Sequence, residues 1–139
     1  MRDQLRKLEE FHRVFGAHIE AHPTADLPAE VVALRVSLIQ EELNEYRAAA
    51  EAHDLVAVAD ALTDLTYVVF GSYVSHGLQD TGEALFDEVH RSNMSKLDDQ
   101  GRVIYRADGK VLKSARWSPP ELAAILTAGA DRESAGGAE

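Results

Sequence analysis

The sequence predicts an all-α fold, a bundle of four to five helices, and three observations carry that prediction. Apolar residues recur at three- and four-residue intervals through most of the first 97 positions. Helix punctuation falls where those runs start and stop, at Pro23, Pro28, Asp54 and Gly77. The one stretch of strand-like composition, Val103-Ile104-Tyr105 with Val111-Leu112, is too short to build a sheet.

Each element follows in order. Leu5, Leu8, Phe11, Phe15 and Ile19 share a face of a first helix expected to end near His22-Pro23. Pro28 suits the first turn of a second helix, in which Val31, Leu34 and Leu38 face inward as far as Ala52. Asp54 is the expected N-cap of a third, where Leu55, Val58, Leu62, Leu65 and Val69 form a stripe reaching His76-Gly77. Asp80 or Thr81 caps the fourth, with Leu85, Phe86 and Val89 facing inward. Lys96-Leu97 ends it and Asp98-Asp99-Gln100-Gly101 breaks the chain. Short connections make the helices antiparallel neighbours. Beyond them, Ala107-Asp108-Gly109 turns either a short hairpin or an ordered loop, and Pro119-Pro120 opens a short helix over 121–126. Residues 1–128 are read as one helical domain and 129–139 as a flexible tail.

Composition narrows function. The 139 residues include 14 basic and 24 acidic side chains, a net charge of −10, with 45% hydrophobic and 27% charged residues. These are globular values, and they exclude disordered and fibrous classes. Cysteine is absent, which excludes disulfide scaffolds, Cys-ligated metals and thiol nucleophiles. A cytoplasmic setting is expected, host cytoplasm if the gene is a phage's. No apolar run is expected to span a membrane, and the charged first ten residues do not read as a signal peptide. A pI near 5.0 opposes nucleic-acid binding through bulk charge. The charge is uneven, however. Residues 1–88 carry 6 basic and 17 acidic side chains, a balance of −11, whereas residues 89–117 carry 7 and 3, a balance of +4.

The chemistry concentrates in two places. On the second helix, the stripe of Leu34 and Leu38 arrives at Glu41, Glu42 and Glu45 where core residues should sit. On the third, apolar nearly all round from Ala61 to Val74 and therefore expected to be buried, Asp64 is the only charge, one turn after Asp60. Carboxylates in an apolar setting are costly unless paired or metal-bound, and an all-oxygen ligand set suits Mg²⁺ or Mn²⁺. The bland alternative is a solvated acidic face paired with basic residues elsewhere. The fourth helix and the loop after it bring cations, Arg91, Lys96, Lys110 and Lys113, with Asn93 between the first two. Cations near a multi-carboxylate metal site make sense if a polyphosphate bridges them, and the alternative is an ordinary solvated patch.

These segments resemble a known family. Glu41-Glu42-Leu43-Asn44-Glu45 followed by Asp64 resembles the EExxE…ExxD signature of the MazG-like all-α nucleoside triphosphate pyrophosphohydrolases. The likeness extends over Glu10-Phe11-His12, Asp64-Leu65-Thr66-Tyr67-Val68-Val69, the run from Glu88 to Lys96, Asp108-Gly109-Lys110-Val111-Leu112-Lys113 and Trp117-Ser118-Pro119-Pro120. It looks like the phosphoribosyl-ATP pyrophosphohydrolase-like or Cof-like branch, frequent in phages and bacteria.

The resemblance implies two or more Mg²⁺ or Mn²⁺ ions per site, held by Glu41, Glu42, Glu45, Asp60 and Asp64, with Glu41 and Glu42 catalytic. It implies that Asn93, Lys96 and Lys113, with Arg91 and Lys110, contact phosphate or sugar. There is one departure: Ala61 stands where the signature has Glu, and Asp60 precedes it. The implied reaction is hydrolysis of a (deoxy)nucleoside triphosphate to the monophosphate and pyrophosphate, leaning to dGTP or GTP, then dUTP. A homodimer or dimer of dimers is implied, with neither nucleic acid nor membrane as partner. Two rival readings stand beside it. One is a di-iron carboxylate bundle, which Glu9-x-x-His12 fits and Asp87-x-x-His90 does not. The other is a helical nucleotide-binding module without activity, consistent with Ala61.

Overall fold

The computed structural model describes residues 1–127. The architecture is all-α: α1 (Arg2–Phe15), α2 (Ala29–Glu51), α3 (Leu55–Ser75), α4 (Gly82–Met94) and a short helical stretch over 122–127. The chain forms two compact units, Met1–Gly82 and the part from Glu83 onward.

In the first unit α3 packs against both α1 and α2. The α2–α3 connection is only Ala52-His53-Asp54, with His53 in the left-handed region at φ 56°. Asp54 caps α3 as the sequence predicts, its side chain accepting from the amides of Val56 (3.0 Å) and Ala57 (3.1 Å). So short a turn makes α2 and α3 an antiparallel pair and fixes their register.

The first helix is shorter than its apolar spacing predicts. Gly16 adopts φ 69°, and its amide closes onto the His12 carbonyl, so α1 stops at Phe15 and Ile19 lies outside it. Leu5, Leu8 and His12 form its buried row. Phe11 and Phe15, expected to face inward, occupy the next row. There Phe11 stacks on Phe15 at 4.4 Å and meets Tyr67 edge-on at 5.6 Å, and Phe15 remains 70% exposed. The loop after α1 is fastened to the end of α3. Glu20 donates to the Val74 carbonyl, Thr24 to that of His76, and the Ser75 hydroxyl and Gln79 amide donate to His18 and Glu20.

The inward stripe of α2 also differs from expectation. It runs through Val31, Arg35, Leu38, Ile39, Glu42 and Tyr46, all half-buried, to the buried Ala49, while Leu34 is 53% exposed. On α3, Ala61, Gly71, Val74 and Ser75 are buried, but Leu55 and Val56 are 78% and 80% exposed and Asp60 and Asp64 face solvent. The expectation of an all-round buried α3 is therefore corrected for the single chain, because two neighbouring helices cover only part of its circumference. This helix is also long and apolar enough to cross a membrane by length and composition, with a mean hydropathy of 1.4. That corrects the expectation that no apolar run reaches such a length: Asp60 and Asp64 interrupt the run but leave its mean hydropathy high.

In the second unit α4 ends at Met94, two residues before its predicted stop. The last turn tightens, with Lys96 donating to Asn93 and Leu97 to Met94 across three residues. Of Leu85, Phe86 and Val89, only Leu85 is buried. Asp98 breaks the chain by accepting from the amides of Gln100 (2.9 Å) and Arg102 (2.8 Å). The hairpin-or-loop alternative resolves to hairpin geometry without strands, a single antiparallel bridge between Tyr105 and Val111. The expected short helix spans 122–127 instead of 121–126. The expected tail, 129–139, lies outside the described residues.

Candidate active site

Helical periodicity separates the three clustered glutamates of α2, Glu41, Glu42 and Glu45. Glu42 lies on the inward stripe, and Glu41 and Glu45 flank it in solvent. One Glu42 oxygen, Oε2, is fully covered and has no hydrogen-bond partner. Burial holds its carboxyl above the usual carboxylate range, and the charges of Glu45, Asp64, Glu41 and Asp60, in that order, push it further. The antiparallel hairpin is what brings Asp64 and Asp60 of α3 to this point of α2. The five carboxylates singled out in the sequence thus share one electrostatic neighbourhood, and no cation among the described residues counters it at Glu42.

A covered carboxylate oxygen without a donor costs about 1–3 kcal/mol, more when charged. A hard divalent cation removes that cost, since Mg²⁺ and Mn²⁺ take carboxylate oxygens by preference. The donor set fits such an ion in chemistry. As they stand, no three Asp, Glu or His side chains among the described residues converge closely enough to hold one. Mutual repulsion favours that splay, and bringing the groups together needs the countercharge. Ala61 is 3% exposed in the core, so Asp60 and Asp64 are the two acids α3 offers here.

Arg35 is the charged group on this face that the sequence reading missed. It sits seven residues before Glu42, two turns or roughly 10 Å along the same stripe. On α3, Gly71 follows Asp64 by the same seven residues, so antiparallel register sets Glu42 beside Asp64 and Arg35 beside Gly71. A Cβ built on Gly71 would lie 2.5 Å from Arg35 Nη1 and 3.1 Å from His12 Nε2; glycine makes this approach possible. Arg35 Nη1 donates to His12 Nε2 at 3.4 Å, while His12 Nδ1 donates to the His18 carbonyl at 2.8 Å. A carbonyl only accepts, so the proton is on Nδ1 and Nε2 presents its lone pair. Burial first, and then the Arg35 charge, hold the His12 imidazole below its ordinary value, against the opposing pull of the His18 carbonyl. Burial likewise lowers Arg35. The sequence signal for Arg35 is its place on the predicted inward stripe, four residues after Val31 and three before Leu38.

The basic residues of the second unit are largely engaged. Arg91 grips Glu88 through Nε (2.8 Å) and Nη2 (2.7 Å), and reaches the Ser118 hydroxyl (2.6 Å) and the Pro119 carbonyl (3.0 Å). Glu88 accepts the Glu121 amide at 2.8 Å, and the Ser92 hydroxyl, buried, donates to the Ser118 carbonyl at 2.9 Å. The segment 118–121 is thereby clasped to α4. Lys96 Nζ donates to Asn93 Oδ1 at 2.6 Å, and Lys113 Nζ lies 3.3 Å over the Trp117 ring. The Lys110 amide donates to Asp108 at 3.1 Å within its turn.

The fold and these acids mark a class, the all-α nucleotide pyrophosphohydrolases of the MazG-like superfamily, and the family comparison agrees. Residues 8–93, more than half of the chain, match the phosphoribosyl-ATP pyrophosphohydrolase model, and the chain belongs to that family. No curated protein matches the chain. The family makes it a hydrolase of pyrophosphate bonds in nucleotides. The matched span contains all five carboxylates and Arg35, and stops short of Lys96, Lys110 and Lys113.

Proposed function

We propose that the chain is a metal-dependent (deoxy)nucleoside triphosphate pyrophosphohydrolase, releasing the monophosphate and pyrophosphate. The observation that carries this reading is Glu42, whose covered, partnerless oxygen lies in the field of four further carboxylates. Glu42, Glu45 and Asp64 hold Mg²⁺ or Mn²⁺, with Glu41 and Asp60 at the margins. Once bound, the metal supplies charge neutralisation for the triphosphate and acidifies water. Glu41, exposed beside Glu42, accepts the proton as a water oxygen bonds to phosphorus and the α–β bridging P–O bond breaks. The resemblance assigns phosphate or sugar contacts to Asn93, Lys96, Lys110 and Lys113, while Arg91 chiefly clasps its own unit.

For the base, the phage-like motif set favours dGTP or GTP, then dUTP, while the family's name offers phosphoribosyl-ATP. A panel of these substrates with Mg²⁺ or Mn²⁺, read by pyrophosphate release, tests the reaction. Turnover of dGTP at least tenfold above dUTP and phosphoribosyl-ATP supports the reading; hydrolysis of phosphoribosyl-ATP alone replaces it. Iron-dependent colour in the purified protein would favour the carboxylate di-iron alternative instead.

The working unit is a homodimer or dimer of dimers. Support comes from apolar surface that a single chain leaves open on α3 and α1, and from a groove of about 310 Å³ lined by Leu8, Leu62, Tyr67 and Phe70. Light scattering should give two or four times 15.2 kDa, and a monomer would overturn this assembly.

A further inference from the structure

Arg35 presents a physical problem that the acid cluster does not solve. It is a partly buried guanidinium, and among the described residues no carboxylate pairs with it. Its one hydrogen bond is the 3.4 Å contact to a neutral imidazole, long for such a bond. Desolvating a cation without a counter-anion is expensive, and a weak bond to His12 does not offset it. Nor does Arg35 act on Glu42, whose neighbours in charge are all acidic. Register holds positive and negative rungs roughly 10 Å apart on one stripe, too far to neutralise each other. The rest of the fork is not sealed in. Its other nitrogens are not among the covered, partnerless polar atoms, so they reach solvent. Two features keep the fork in place. Gly71 leaves the room for it, and His12, locked by the His18 carbonyl, offers a lone pair but no competing proton.

We propose that Arg35 binds phosphoryl oxygens of the substrate, its missing anion being the end of the phosphate chain that becomes pyrophosphate. The inference rests on the pyrophosphohydrolase reading above. A polyanion anchored at the acid rung through the metal spans toward the cationic rung, and a guanidinium fork matches phosphoryl oxygens in pairs. His12 and Gly71 are positioning residues that act through Arg35.

Inorganic pyrophosphate is the probe. Added to the metal-free protein, it should shift the ¹⁵N resonances of the His12 ring, because the group bonded to Nε2 is the one engaged. In Arg35→Gln that shift should vanish, pyrophosphate should bind at least tenfold more weakly, and KM for the hydrolysed nucleotide should rise at least tenfold. Arg35→Lys should recover part of the affinity. If Arg35→Gln does not fold, the His12 shift in the wild type together with Arg35→Lys decides. An unmoved His12 ring, or pyrophosphate affinity within twofold of wild type in the variants, overturns the proposal. Should the substrate panel show no hydrolysis while pyrophosphate still binds through Arg35, the enzymatic reading fails and the anion site stands. Hydrolysis with pyrophosphate binding indifferent to Arg35 gives the reverse.

Discussion

The two units of this chain differ in the charges they leave without a partner, although the first also pairs Glu9 with Arg13 and Glu20 with His18. From Glu83 onward, ionic groups are paired locally: Glu88 with Arg91, Asp98 with Arg102, Arg106 with Asp108. In the α1–α3 unit, Glu42 keeps a partnerless covered oxygen and Arg35 has no carboxylate partner among the described residues, although each lies on the stripe that packs toward α3. Paired charges there build architecture, since the Glu88–Arg91 fork fastens the Ser118-Pro119 turn to α4. Unpaired charges cost stability and mark candidate sites for a ligand of opposite charge. The difference separates candidate function from scaffold better than a count of basic and acidic residues does.

The largest test of that contrast is Glu42→Gln. On the proposed reading, loss of this carboxylate should cut hydrolysis about 100-fold or more. The same change should stabilise the metal-free protein by about 1 kcal/mol, since an amide can donate to its acidic neighbours instead of repelling them. For a chain of this size that raises Tm by roughly 3 °C. Glu51→Gln, exposed on the same helix, should change neither activity nor melting. A Glu42→Gln protein that melts below wild type would show that the acids are balanced after all.

Gly71→Ala comes next. In an ordinary helix interior the change gains up to about 1 kcal/mol in propensity. Here the new Cβ meets Arg35 Nη1 at 2.5 Å and His12 Nε2 at 3.1 Å, and such overpacking costs about 1–3 kcal/mol. Net destabilisation of about 1 kcal/mol in urea unfolding is expected, with a raised KM as Arg35 is displaced. Stabilisation would mean that the Arg35 tip moves aside without consequence.

Arg91→Ala probes the other side of the comparison and should touch activity less than tenfold. Its signature is local: the Glu121 amide, bonded to Glu88, should lose hydrogen-exchange protection, and lysine should not restore it because it lacks the fork. The Arg91 bond first, then the Glu121 amide, pull the Glu88 carboxyl down to about 2. The clasp is therefore complete above the ordinary carboxylate value and lost as pH falls from 4.5 toward 2.

Much of this was legible in the sequence. The all-α class, the Asp54 cap and the break at Asp98 follow from residue chemistry that acts locally. Helix ends were less legible where a single backbone state decided them, as at Gly16, since spacing alone carries the pattern on to Ile19. The acid cluster was readable as five residues, but their ranking was not. That Glu42 is the covered one depends on the phase of α2, which Leu34 suggested wrongly and Arg35 sets. Arg35 escaped notice because an arginine on a helix usually means a solvated face; its lack of a counter-anion appears only when α3 brings Gly71 and His12 against it. Arg91 shows the converse, a motif cation whose partners 27 and 28 residues on could not be guessed.

The smallest expected effect concerns His12, which belongs to the unpaired side of the contrast. Burial, and secondarily the Arg35 charge, disfavour its protonated form, so the folded pKa lies below the ordinary 6.5. The unfolded chain then takes up a proton that the folded chain resists. Stability from this group is complete above pH 6.5 and declines as pH falls below it, with a slope no steeper than about 1.4 kcal/mol per pH unit. An NMR titration of the ring should give a midpoint below 6.5, with Nδ1 protonated at neutral pH. Urea unfolding at pH 7.5 and 5.5 should show a smaller pH dependence in His12→Asn, which can still donate to the His18 carbonyl but does not titrate. Pyrophosphate adds the decisive turn. An anion on Arg35 screens its charge from the imidazole, so the His12 midpoint should rise when pyrophosphate is bound. A midpoint that ignores pyrophosphate would leave His12 a core residue and nothing more, and would remove it from the charge-holding side of the molecule.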